Sequence, residues 1–187
     1  MDNNRQSPTS SRNIKSDRGI LSGMFSDRES TERAYNSLSS RGYSKDEIDL
    51  MMSDETRKKY FDKDNDHDTE LGNKAMEGAG KGSAIGGTVG AIAGVIAALG
   101  TSLVIPGLGI VLAGPIAAGL AGAGAGGLTG GIIGALVGRG IPEERAKQYE
   151  SGIKNGKIVM GVKPRNDEDA RYFENEWKSS RAEDIYR

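Results

Sequence analysis

The chain has 187 residues, room for one domain or for one small domain carrying an insertion, and its formal charge of −1 excludes a broadly basic surface for nucleic acid. With no cysteine and one histidine, it has no disulfide or thiolate metal site, and too few ligands for a zinc centre or a histidine-based catalytic pair. The near-neutral average hides a division. Charges are plentiful up to Lys81 and after Gly138, and Gly82–Gly138 contains no Asp, Glu, Lys, Arg or His.

Residues 1–17 are polar and rich in Ser, Asn and Arg, and are expected to form a disordered tail with no signal-peptide core. The first half of an αβ domain is assigned to 18–53. Gly19–Phe25 reads as a short strand. Ser26-Asp27-Arg28-Glu29 has the form of a capping box, so a helix should follow to about Ser40 and end at Gly42. Ile48, Leu50 and Met52 alternate with Asp49 and Met51, which predicts a second strand, parallel to the first through a right-handed crossover.

Residues 54–73 are expected to be a polar linker with a short helix around Glu55–Tyr60. Asp62-Lys63-Asp64-Asn65-Asp66 has the opening of a calcium loop, but His67 and Asn73 stand where Gly and Glu are needed, so no metal site is assigned. Gly80-Lys81 lacks the first Gly and the Ser or Thr of a phosphate loop. The Gly122, Gly124, Gly127 spacing follows no strand, so no cofactor is expected.

The charge-free stretch, with its flanks at 74–139, carries two glycine registers. Gly82, Gly86, Gly90 and Gly94 recur every fourth residue, as do Gly122, Gly126, Gly130 and Gly134. Residues four apart share a helix face, and a row of glycines lets another helix approach closely. The prediction is a glycine-zipper hairpin of two helices, the first from near Lys74 to near Ile105 and the second over Pro115–Gly138. Pro106, Gly107 and Gly109 form its turn, and Val111 and Leu112 belong to an apolar connection. Each helix would exceed a hydrocarbon core of ~30 Å. Lys81 and Arg139 would then mark the cytoplasmic side. Membrane association and a soluble oligomer that buries the hairpin both remain open. Self-association is expected in either case.

The second half of the αβ domain is assigned to 140–178. Pro142-Glu143-Glu144 should start a helix with Ala146, Tyr149 and Ile153 on its apolar face. Lys157–Val162 is the third strand, and Asn166 caps a last helix striped by Ala170, Phe173 and Trp177. Residues 179–187 are expected to fray. The order β-α-β, hairpin, α-β-α predicts an α+β fold with a sheet of three or four strands and helices on one face.

These segments resemble a known family. Met24-Phe25, Asp27-Arg28-Glu29, Glu32-Arg33-Ala34 and Arg41-Gly42-Tyr43 before Ile48 carry the first part. Ile105-Pro106-Gly107-Leu108-Gly109, Ala113-Gly114-Pro115, Gly140-Ile141-Pro142-Glu143-Glu144, Tyr149-Glu150 and Ile158-Val159 carry the second. In order and spacing they are similar to the bacterial general stress protein 17M-like domain, also called the heat-induced stress protein YflT-like domain. The resemblance spans about Gly19–Trp177. It implies a stress-associated protein with a small ferredoxin-like αβ part split by a Gly-rich helical segment, and it brings no catalytic residues. The expected protein is therefore non-enzymatic, with no small-molecule substrate, itself as partner, and membrane lipid as a further partner. Its place would be the cytoplasm or the cytoplasmic face of the inner membrane. The alternatives are a soluble structural oligomer or a ferredoxin-like ligand-binding regulatory domain.

Overall fold

The computed structural model describes residues 19–61, 103–105, 109–122 and 131–187. The chain runs β1 (Leu21–Phe25), α1 (Arg28–Ser40), β2 (Ile48–Ser53), α2 (Asp54–Phe61), β3 (Leu103–Ile105) and β4 (Ile110–Ala113). It continues through α3 (Pro115–Gly122), α4 (Gly131–Gly138), α5 (Glu143–Lys154), β5 (Ile158–Val162), α6 (Asp167–Ser179) and β6 (Glu183–Tyr186).

All six strands form one sheet in the order β3-β4-β2-β5-β1-β6, and every neighbouring pair is antiparallel. β1 and β2 are parallel to each other, as the β-α-β pattern predicts. They are not neighbours, because β5 lies between them and pairs with both. This replaces the expected sheet of three or four strands, and the extra strands come from two places. The 179–187 segment, expected to fray, supplies β6 on the outer side of β1. The Gly/Ala-rich segment supplies the β3–β4 hairpin beside β2.

Helices cover both faces, not one. The inner strands are buried along their length apart from Ser53 at the end of β2, as apolar runs such as IVMGV demand. On the first face Leu21, Phe25, Leu50, Met160 and Val162 pack against Leu38 of α1, Phe61 of α2, and Phe173 and Trp177 of α6. Phe25 meets Trp177 edge-on at 5.7 Å between ring centroids. On the second face Met24, Met51, Leu112 and Val159 pack against Ile116 and Leu120 of α3, Ile132 and Leu136 of α4, and Ala146, Tyr149 and Ile153 of α5.

Local signals set most boundaries. Asn166 accepts from the Asp169 amide at 2.7 Å and caps α6 as expected. Gly42 takes φ +76° after α1, the left-handed conformation expected of it. The α1 cap is Asp27, one residue beyond the expected Ser26. Its Oδ1 accepts from the Ser30 amide at 2.7 Å, whereas Ser26 donates to Glu183 of β6. The expected short helix in the 54–73 linker is α2, which continues directly from β2 and buries Phe61.

The expected second zipper helix differs most. Its described parts are two short helices, α3 and α4, in contact with one another. In one straight helix Gly122 and Gly131 would stand about 14 Å apart and the two parts would not touch. The described residues of 110–122 and 131–138 pack on the αβ unit. Ile116, Leu120, Ile132 and Leu136 are buried against the unit's own sheet.

Candidate functional site

The start of α3 is built on a close approach. Gly114 has φ +86°, and a Cβ there would lie 2.1 Å from the carbonyl oxygen of Ile48. Only glycine fits this position. It also leaves α3 with no side-chain cap of its own, and Asp49 of β2 fills that role from across the sheet. Asp49 Oδ1 accepts from the Ile116 amide at 2.6 Å, and Oδ2 accepts from Arg139 Nη2 at 3.0 Å. One fully buried carboxylate therefore ties the first turn of α3 to the residue that follows α4.

Burial pushes the Asp49 carboxyl up to about 6, and the Ile116 amide and the Arg139 guanidinium pull in the opposite direction without cancelling the effect. Elsewhere, burial raises Tyr149 to about 12; its hydroxyl donates to the Asp184 carbonyl at 2.7 Å and lies 3.1 Å from Ser22 Oγ. This network fastens β6 to the second face.

Beside the Asp49–Arg139 pair, α3 and α4 enclose a cleft of about 290 Å³. From α3 it is lined by Pro115, Ile116, Gly119 and Leu120. The other wall is Gly134, Ala135, Gly138 and Arg139. Among the described residues of the lining Arg139 alone is charged, and its side chain is 34% exposed. A Cβ added at Gly119, Gly134 or Gly138 would meet nothing within 4 Å. The arrangement is an apolar slot with one cationic end, suited to binding and offering no nucleophile or acid–base pair.

Of the glycines singled out by spacing, Gly134 lines this cleft and Gly122 closes α3. Gly82, Gly86, Gly90, Gly94, Gly126 and Gly130 lie outside the described residues. The same holds for Pro106 and Gly107. Gly109 is exposed at φ +60°, next to the β3–β4 pairing of Ile105 with Ile110; β3 lies where the end of the first helix was expected, and β4 where the apolar connection was. The calcium-like segment from Asp62 to Asn73 also lies outside. Among the described residues no group of three or more His, Cys, Asp or Glu is placed to share a metal ion.

Spacing did not single out Asp49 or Gly119. The available signals were an acid inside an otherwise apolar strand, and a helix start, Gly114-Pro115, with no capping side chain.

The fold and cleft define a three-layer α+β protein, with helices on both faces of an antiparallel sheet. No family model, curated protein or solved structure matches the chain.

Proposed function

We propose that this is a non-enzymatic bacterial general-stress protein that works by association, with the αβ unit presenting a Gly/Ala-rich surface to further copies of itself. The carrying observation is the outer side of the α3–α4 layer. Ala118, Gly119, Gly134, Val137 and Gly138 are exposed there without a charge among them, and Val137, at 44%, is the exposed large hydrophobic residue among those described. A charge-free surface of small side chains favours close contact with another such surface. The frame is read as a split ferredoxin-like unit, β1-α1-β2 and β5-α6-β6, with β5 between β1 and β2 and the Gly/Ala-rich segment inserted after β2. The strand order β2-β5-β1-β6 supports that reading. The stress assignment rests on the motif resemblance.

The second reading is membrane association. It is favoured by the charge-free residues 82–102. No helix among the described residues is long and apolar enough to cross a membrane.

Sedimentation velocity on the wild type and Val137→Lys tests the first reading. The expected result is an oligomer that Val137→Lys reduces to a monomer with an unchanged melting temperature. A monomeric wild type refutes it. Alkaline carbonate washing of cell membranes tests the second: retention in the pellet supports insertion, and full release refutes it.

A further inference from the structure

We propose that the α3–α4 cleft is a binding site for a short aliphatic monocarboxylate, with its chain between the two helices and its carboxylate on Arg139. The size, the walls and the single charge each narrow the ligand. At about 290 Å³ the cleft lies at the small end of ligand pockets. With a water-sized group occupying about 30 Å³, it holds on the order of ten non-hydrogen atoms. That fits a chain about as long as octanoate.

The walls are aliphatic or bare backbone: Ile116, Leu120 and Ala135, with Gly119 and Gly134 opening the space a side chain would fill. They offer dispersion and desolvation to an alkyl chain, and no side-chain hydrogen bond to a polar one. At one end stands Arg139. Among the described residues its side chain hydrogen-bonds through Nη2 alone, which donates to Asp49. Nε and Nη1 retain donors in the fork geometry that matches a carboxylate. The Asp49 carboxylate is fully buried with both oxygens engaged, so it offsets part of the guanidinium charge without entering the cleft. That offset suits a monoanion better than a dianion, and an uncharged chain would leave the remaining donors unpaired.

This goes beyond self-association and needs no second copy. The test is titration calorimetry on the full chain at pH 8, with octanoate as the probe and 1-octanol as its uncharged counterpart. Saturable one-to-one binding of octanoate is expected, with 1-octanol at least about tenfold weaker, since a charge-assisted bond is lost. Arg139→Gln should weaken octanoate at least about tenfold and leave 1-octanol unchanged. Gly119→Leu, which fills the cleft from a helix position with open space, should abolish both. Three results would each overturn the proposal: no saturable octanoate binding, equal affinity for the two probes, or undiminished binding in Gly119→Leu. The two-probe comparison and Gly119→Leu decide the matter even if Arg139→Gln does not fold. The same titration on Val137→Lys, whose substitution lies outside the cleft lining, separates the cleft from assembly: saturable octanoate binding by that monomer is expected, and its absence would overturn the proposal.

Discussion

Replacing Asp49 with asparagine should remove an inverted pH dependence of stability. The native carboxyl titrates near 6, pushed up from 3.8 by burial. It therefore keeps its proton to a higher pH than the same group in the unfolded chain. Between those values the native state binds more protons, so stability rises as pH falls. At about 1.4 kcal/mol per pH unit, the full difference is about 3 kcal/mol. By pH 5 about 1.4 kcal/mol of it is gained, because the native group is mostly protonated and the unfolded one still mostly ionised. For a chain of this size that is a rise of about 3–5 °C in melting temperature. Glu47, Asp54 and Glu183 act in the opposite direction. The Ser44 amide, Lys58 and Lys157, respectively, hold them below the usual carboxylate range, and their contributions are lost only as pH falls through and below that range. The assay is thermal unfolding of the wild type and Asp49→Asn from pH 7.5 to 5. Subtracting one curve from the other cancels the remaining groups. The wild type should gain stability relative to the variant across this window. A difference that stays flat, or changes in the other direction, would refute the account of Asp49.

Two further substitutions probe the joints of the second face. Gly114→Ala places a Cβ 2.1 Å from the Ile48 carbonyl at a positive φ. It should cost more than the ~1 kcal/mol of an ordinary Gly–Ala difference and loosen α3 first, read as faster amide exchange at Ile116 and Ala117. Tyr149→Phe removes the hydroxyl shared by Ser22 and the Asp184 carbonyl. A loss of about 1–3 kcal/mol in denaturant unfolding is expected, with β6 exchanging earlier than β1.

The frame was legible where local signals and burial agree. β1, β2 and β5 are apolar runs of strand length, α6 begins at a capping asparagine, and α1 ends at a glycine with positive φ. The α1 cap slipped by one residue because Ser26 and Asp27 both suit the role, and Ser26 is drawn to Glu183, distant in sequence. β6 was missed for a related reason. Glu-Asp-Ile-Tyr is a short, mostly exposed strand with a positive φ at Asp184, held by nonlocal bonds to Lys157 and Tyr149. In the Gly/Ala-rich segment no charge marks an outer face. Short apolar runs such as Leu103–Ile105 and Ile110–Ala113 cannot be told from helix by periodicity. The four-residue glycine spacing favoured helices, whereas the β-branched residues between them form strands. Asp49 could not be assigned a partner because Ile116 and Arg139 are far from it along the chain.

The glycines of α3 and α4 separate a folding role from a contact role. Gly114 is pressed on backbone and is explained by its own fold. Gly119 and Gly134 lie in helix interiors, are exposed, and have open space where a Cβ would stand. Each costs about 1 kcal/mol relative to alanine in a helix interior, and no close contact within the described fold offsets that cost. The double variant Gly119→Ala, Gly134→Ala should therefore raise stability by about 1–2 kcal/mol in denaturant unfolding. A contact that depends on the bare surface should weaken in the same protein, seen as a smaller oligomer by sedimentation or a lower affinity for octanoate. A stable variant with both properties intact would leave these glycines without a contact role. A destabilised variant would mean that the two positions are packed within the chain, contrary to the open space at both.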